Sequence, residues 1–463
     1  MFANSLQNSS VPDAFVDIKI NIDGLPLFKS SPINLWPILM LVPGVSHPLP
    51  LAIFAGIGKP DLLPFLNRLC SEISRLKCTG FFFKCVKLRN IIFICDTPAK
   101  NFVLGSKGHT SYHGCSWCRQ IGVYSDNRMV FSHQIDCPRS DSAYANFIES
   151  NQCVRSPILE LIPMYSCFPP DLMHVVCLGV VRRLLHCYCV GVPGFRLPCK
   201  LGKPNLEQLN NKLLAFKSYI PSEFQRKTRS LSELEFFKAS EFRTIVLYTG
   251  PLVFKDILNA AYYEHFLLLH LSIYIFSSES FSYLYHVATA CINLFVSQMP
   301  TLFHTSLVSF HMHALLHIPE FVRLYGPLHN FSAFPFENYL YLLKRRIRAN
   351  NGIFRQSVNQ LLNVRTLYSS HATDNTLLFT ASCPNNCALS ENGDVILVDF
   401  VQDSLVSGVI LCFERELFTH PYSSRIVGIG YYSRTRKYVK HVVPVSKAIL
   451  VPFESEYFII PFV

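Results

Sequence analysis

The sequence is poor in charge and short of long apolar runs. Only 16% of its 463 residues are Asp, Glu, Lys or Arg, whereas the apolar residue types supply 50%. A disordered tail or low-complexity scaffold needs the opposite balance, so that class is excluded, and the apolar content is enough for a large core. A membrane-spanning helix needs about 20 consecutive apolar residues. The most apolar stretch, Tyr262 to Phe276, is shorter and carries Glu264, His265 and His270, while Leu35 to Phe54 is broken by Pro37, Pro43, Pro48 and Pro50. No membrane is expected as a partner. The first thirty residues hold Asp13, Asp17 and Asp23 without an uninterrupted apolar block, so no secretory leader is expected either. No internal repeat is visible along the chain.

What is present is length, basic charge and cysteine. At roughly 100–200 residues per domain the chain corresponds to two to four domains. The formal net charge of +11 suits a polyanionic partner. Seventeen cysteines in a chain of this length without a leader read as reduced thiols, mostly small buried hydrophobes with a minority free to bind metal. The expected compartment is cytosol or nucleus.

From Ala14 to Leu27 apolar and polar residues alternate, with Val16, Ile18, Ile20 and Ile22 on one face, and the run ends in the turn pair Asp23-Gly24. Ile33–Val42 and Leu49–Gly58 read as further strands, Asp61–Lys77 as a helix, and Phe81–Leu88 and Ile91–Cys95 as strands, the last closing on Asp96. This is an α/β core with Asp23 and Asp96 at strand C-terminal ends. Residues 105–170 are loop-rich. Helical spacing follows over Asp171–Val190 and from about Leu206 to Phe321, separated by the Pro/Gly-rich break Val190–Pro204. Helices are expected from Pro335 or Phe336 to Arg348 and from Phe354 to Leu367. After about Ser370 short β-branched runs (Val395–Val401, Val406–Cys412, Ile426–Tyr432, Tyr438–Val443, Ala448–Val451 and Tyr457–Ile460) separated by turns predict a small C-terminal all-β domain.

Three acids and one ligand set could carry chemistry. Asp23 and Asp96 are each explained singly as turn formers, and Glu337 as a favourable charge in the first turn of a helix. Together they would make a site for hard divalent cations. Cys115 and Cys118 form a CxxC, which by itself is a redox pair, half a zinc site or an accident. His313 and His317 lie one turn apart on one helix face, so Cys₂His₂ would be a tetrahedral zinc set. His313 lies 195 residues beyond Cys118, so zinc would staple two distant segments. His311 is surplus to that set. Asp171 and His174 open a helix, where an N-capping role is the plain account. Lys344, Arg345 and Arg348 fall on or near the Glu337 face, either as a solvated basic surface or as phosphate contacts. Cys383 and Cys387 have no obvious partners and are left as a turn.

The segments DGLPLFKSS (Asp23–Ser31), ICDTPAKNFVLGSKGHTSYHGCSWC (Ile94–Cys118), DLMHVVCLGVVRRLL (Asp171–Leu185) and Phe310–Arg348 resemble transposases of CACTA-type (En/Spm-like) DNA transposons, including the animal transposase domain-containing proteins. The β-rich tail is also similar. The resemblance implies a ribonuclease-H-like core over residues 11–190, a helical insertion over 191–300, completion of the core over 301–372 and a β-rich domain over 373–463.

It further implies a DDE triad of Asp23, Asp96 and Glu337 holding Mg²⁺ or Mn²⁺, and a structural Zn²⁺ on Cys115, Cys118, His313 and His317, as in the related V(D)J recombinase catalytic subunit. Asp171 and His174 match the family's [C/D]xxH signature, as active-site support, and Asp171 is the main rival of Asp96 for the second catalytic position. The implied reaction is nicking and strand transfer on double-stranded DNA, at transposon ends and target, which needs no nucleophilic Ser or Tyr. Lys107, Lys344, Arg345 and Arg348 are the expected phosphate contacts. The nucleus is the expected location and a homodimer a compatible assembly. Only 22 residues precede Asp23, where such enzymes carry a DNA-end-binding module. The alternative is therefore a truncated or inactive, transposase-derived nucleic-acid-binding protein.

Overall fold

The computed structural model describes residues 15–28, 31–79, 87–142, 155–347, 352–368 and 377–463. The chain is mixed α/β and divides into two compact units. One comprises Met1–Val175 and Val308–Thr373, the other Val176–Leu307 and Asp374–Val463.

The first unit is built on strands β1 (Phe15–Ile22), β2 (Leu25–Pro26), β3 (Ile33–Leu41), β4 (Leu49–Ile57) and β5 (Lys87–Phe93). β3 runs antiparallel to both β1 and β4, whereas β5 lies parallel to β1 on its other side. The alternation of β1 places Val16, Ile18, Ile20 and Ile22 in the core. On the opposite face Asp17 accepts from Arg89 Nε at 2.8 Å and Asn90 Nδ2 at 3.0 Å. The helix Leu62–Thr79 buries Leu62, Leu66, Leu69, Cys70 and Ile73, a single face by helical spacing, in the same cluster. Each such aliphatic side chain contributes about 1.5–3 kcal/mol when fully buried.

The run Ile91–Cys95 leaves the strand at Phe93, and most of the expected strand Phe81–Leu88 falls at 81–86, outside the described residues. The ladder nevertheless continues past Phe93. Ile94 N donates to Ile20 O at 2.8 Å, and the buried Asn21 Nδ2 donates to Ile94 O at 2.7 Å. β2 carries on the line of β1 along β3, with Leu25 opposite Leu35 just as Ile22 lies opposite Ile38. The line is broken only at Asp23-Gly24. Glycine is required there by close approach, since a Cβ on Gly24 would sit 2.7 Å from the Trp36 ring.

Two other segments matter for position. Helix Thr97–Leu104 follows β5 directly, and helix Phe334–Arg346 lies near the expected 335–348. Helix Leu172–Cys189 starts with wide, five-residue hydrogen-bonded turns through Val181. By length and composition alone it is apolar enough to cross a membrane, and more than half of it is buried in the protein.

In the second unit the helix Ala260–Phe276 is buried along most of its length. Its His265 and His270 are core residues. Burial lowers each pKa to about 4, and their rings meet the carbonyls of Phe295 and Val246. After the short hairpin of β6 (Val123–Ser125) and β7 (Arg128–Val130) in the first unit, strands β8 (Cys387–Ser390), β9 (Val395–Gln402), β10 (Leu405–Glu416), β11 (Gly430–Val442), β12 (Pro444–Phe453) and β13 (Glu456–Pro461) of the second close into a barrel in the order β10-β11-β13-β12-β8-β9. Closure leaves no sheet edge to be protected. Of the runs Ile426–Tyr432 and Tyr438–Val443, expected as two strands, the first joins β11 only at 430–432, after the 3₁₀ turn Ser424–Val427, and the second completes the same strand. The barrel and the helical segment form one unit: Tyr274 and Tyr248 donate to the Pro461 and Val463 carbonyls at 2.8 and 3.1 Å, and buried Lys447 pairs with Glu223.

Gly24→Ala should push against the Trp36 indole and lower stability by about 1–3 kcal/mol, the cost of overpacking a tight contact. Urea unfolding measures this, and an unchanged midpoint would show that the ring is free to move aside.

Candidate active site and metal centre

Parallel pairing of β1 and β5 brings two chain-distant acids to one sheet edge. Asp23 stands one residue beyond β1 and Asp96 three beyond β5. Asp23 Oδ1 accepts from Gly24 N at 2.7 Å. Asp96 caps helix Thr97–Leu104, its Oδ1 accepting from Ala99 N at 2.7 Å. The third acid, Glu337, enters from the first turn of helix Phe334–Arg346. Burial, then the charges of Asp96 and Glu337, push the Asp23 carboxyl up to about 8 against the opposing pull of His174. Burial likewise raises Glu337, although His174 and a hydrogen bond with Asp23 oppose it. Two carboxyls this close share a proton unless a cation replaces it.

Asp171 and His174 form the support beneath this cluster. Asp171 is 2% exposed and has both oxygens occupied: Oδ1 accepts from Ala333 N at 2.7 Å, and Oδ2 meets His174 N at 2.8 Å and His174 Nδ1 at 2.7 Å. It therefore clamps the start of the Glu337 helix and orients the imidazole, a task that leaves it little capacity as a ligand. Asp96, the other candidate for the second acidic position, is the one whose charge acts on Asp23. His174 Nε2 faces Glu337 Oε1 at 3.7 Å. Burial disfavours the imidazolium, but the Asp171 hydrogen bond and charge, with Glu337 and Asp96, raise its pKa to about 9.

Cys115, Cys118, His313 and His317 converge as a fully buried group whose ligand atoms all lie within 4.8 Å of one another. The separations are 3.5 Å between sulfurs, 3.5 Å from Cys115 Sγ to His317 Nε2, 3.2 Å from Cys118 Sγ to His313 Nε2, and 3.4 Å between the two Nε2 atoms. A tetrahedral zinc site with Zn–S near 2.3 Å and Zn–N near 2.0–2.1 Å has edges of about 3.3–3.8 Å. The donor set and its dimensions both fit zinc. His313 Nδ1 meets Ser132 O at 2.9 Å, a contact that commits Nδ1 as donor and leaves Nε2 for a metal. No other group of three or more His, Cys, Asp or Glu ligand atoms among the described residues closes this tightly.

The expected basic residues are dispersed. Lys344 donates to the Pro26 carbonyl, beside the Asp23 turn, and Arg345 lies exposed with its guanidinium 5.7 Å from the Tyr341 ring centre. Lys107 is exposed in the loop after Gly105, and Arg348 lies outside the described residues. Cys383 and Cys387 belong to no such ligand group among the described residues.

Sequence reading missed the second layer. Lys100, buried on the Asp96 helix, donates to Ser116 Oγ at 2.7 Å inside the CxxC and lies 3.6 Å from the Trp117 ring centre. Trp117 in turn donates to Phe168 O at 2.8 Å. The Cys115–Cys118 loop and the Asp96 helix are thus packed as one body.

No protein-family model matches the chain, and no curated protein shows significant similarity to it.

Two measurements follow from this geometry. The wild-type protein should contain one zinc per chain, and Cys115→Ser should lose it and unfold several degrees lower; zinc retained at full stoichiometry in that variant would remove Cys115 from the ligand set. The second concerns pH. An acid whose pKa rises on folding costs stability as pH climbs from its unfolded value near 3.9 towards about 8. A histidine raised to about 9 gives stability below about 6.5 that is lost as pH rises through 9. Both act in the same direction, so the protein with its zinc retained but without Mg²⁺ or Mn²⁺ should lose stability between pH 6 and 9. Asp23→Asn should flatten that decline; an equally steep curve would place the titration elsewhere.

Proposed function

We propose that the chain is a DDE-transposase-like protein that cleaves and joins DNA strands, on a ribonuclease-H-like core. The observation that carries the reading is the convergence of three acids from distant segments, with Glu337 hydrogen-bonded to Asp23 and the charge of Asp96 acting on both. The sheet supports it: an antiparallel β1-β3-β4 meander, a helix, and then β5 returning parallel to β1 is the strand order that such a core requires. The motif resemblance and the buried Cys₂His₂ set point the same way.

Hard carboxylate oxygens suit Mg²⁺ or Mn²⁺, and Asp23, Asp96 and Glu337 would hold such ions, which when bound supply Lewis acidity at the attacking and leaving oxygens of a phosphodiester. The remaining work falls to the chain itself. The β1–β5 ladder fixes two acids, and Asp171 fixes the third by holding Ala333 N at the start of its helix. His174, kept protonated by Asp171, supplies a positive charge facing Glu337 and limits the repulsion in the cluster. Lys107, Lys344 and Arg345, although dispersed, are the residues that would hold DNA phosphates. Hydrolysis would add water oxygen to phosphorus and release the 3′-oxygen as a hydroxyl. That hydroxyl would then attack a target phosphodiester, displacing a second 3′-oxygen. Double-stranded DNA is the partner, and nuclear residence follows from it.

A supercoiled-plasmid nicking assay with Mg²⁺ or Mn²⁺ tests the proposal. Wild-type protein should nick, and Asp23→Ala and Glu337→Ala should each lose at least about a thousandfold in rate, roughly 4 kcal/mol of barrier. Equal cleavage by all three proteins would contradict it, and DNA binding without cleavage by any of them would favour the inactive, nucleic-acid-binding alternative.

A further inference from the structure

The C-terminal barrel carries a line of positive charge that the acidic cluster does not use. From Gly430 to Phe453 the chain holds no Asp or Glu, yet Arg434, Arg436, Lys437 and Lys440 all fall on β11. The facing stretch of β10, Val406–Leu411, is uncharged. The other cations of the barrel are engaged. Arg415 pairs with Glu456 at 2.8 Å, and Arg425 lies 4.9 Å from the Phe413 ring centre. Arg434 donates to the Tyr457 hydroxyl at 2.7 Å, and buried Lys447 pairs with Glu223. Arg436, Lys437 and Lys440 are exposed and make no ion pair among the described residues. The Asp399 carboxylate, which reaches this stretch, accepts from the Tyr438 hydroxyl at 2.7 Å. One carboxylate against three cations leaves a positive excess.

The backbone presents these cations outward by breaking register twice. Arg434 lies opposite Leu411 and Tyr438 opposite Val409, so residues 435–437 stand against Ile410 alone. Thr435 pins this bulge: its Oγ1 donates to Ile410 O at 2.7 Å and accepts from Lys437 N at 3.1 Å. Val439 lies opposite Gly408 and Val442 opposite Val406, so Lys440 and His441 share Ser407. At this second bulge His441 takes a left-handed φ of 53°, and its N donates to Ser407 Oγ at 3.1 Å. Val439 and Val442 still pack on the apolar cluster of Ile396, Val398 and Val406. The bulged positions are therefore the ones that carry the cations, and bulges are a recurrent means of re-aiming side chains.

We propose that Arg436, Lys437 and Lys440 form a phosphate-binding track by which the barrel holds duplex DNA; the inference rests on the DNA reading above. The shape of the charge selects the partner. An extended strand rises about 3.3 Å per residue, so Arg436 to Lys440 span at most about 13 Å. Over that length one strand of a duplex presents about four phosphates, at one per 3.4 Å of axis. A line of cations one strand wide matches a linear polyanion better than a single phosphate group or a planar anionic surface. Contacts of this kind fix position and carry no sequence information.

The test is fluorescence anisotropy of the full chain with two labelled duplexes of unrelated sequence, in Ca²⁺ and across a range of salt concentrations. Arg436→Gln, Lys437→Gln and Lys440→Gln together should weaken binding to both duplexes at least about tenfold and make the slope of log Kd against log salt shallower by about 2–3. Lys437→Gln alone should change that slope by about 1, which keeps the test open should the triple variant be unstable. Arg68→Gln, Lys203→Gln and Lys217→Gln together remove the same charge from exposed positions elsewhere and should cost less than about threefold. Equal losses in the two triple variants would overturn the track and leave the DNA reading standing. A loss confined to one sequence would assign base recognition and overturn a phosphate track. An unchanged duplex affinity with lost binding to phosphatidylserine vesicles would assign the face to a membrane and overturn it too. Failure of the wild type to bind either duplex would overturn both the track and the DNA reading.

Discussion

The parallel pairing of β1 with β5 is the constraint on which the rest depends. Two strands that run the same way end at the same edge of a sheet, and it is at that edge that open α/β sheets collect their ligand-binding groups. Asn21 extends the pairing one step further by holding the Ile94 carbonyl, so the chain is still in register when it turns out at Asp23 and at Asp96. A one-residue slip of either strand would turn its side chains to the opposite face and carry its acid out of line with the other.

The third acid comes from more than 200 residues further on, and two devices hold its segment in place. One is the pair of bonds from Asp171, which joins the start of its own helix to the start of the Glu337 helix. The other is the Cys₂His₂ group, which brings the loop after the Asp96 helix against the segment leading into the Glu337 helix. A metal ion held there would cross-link the two segments across a long loop, whose closure costs conformational entropy that grows only slowly with length. Lys100 and Trp117 connect this group to the packing around Asp96, so the binding or loss of that ion would be felt at the acids as well as at the cysteines.

Much of this arrangement is legible in the sequence, for reasons that can be named. The alternation of Val16, Ile18, Ile20 and Ile22 ending in Asp23-Gly24 fixes a strand, its buried face and its end. The spacing of His313 and His317 places two imidazoles on one helix face. The double duty of Asp171 is not legible, because its bond to Ala333 N spans 162 residues and has no local signature. Lys100 reads as an ordinary solvated helix lysine until Ser116 and Trp117 are packed around it. The barrel illustrates the same limit: local pattern finds its strands but divides β11, and it gives no sign that the strands share a unit with the helices of 176–307.

Whether Asp23, Asp96 and Glu337 act together as one divalent-cation site is measured directly by anomalous diffraction from crystals grown with Mn²⁺. A manganese peak is expected in contact with oxygens of all three residues. A map in which manganese occupies other positions while these carboxyls bind none would contradict it.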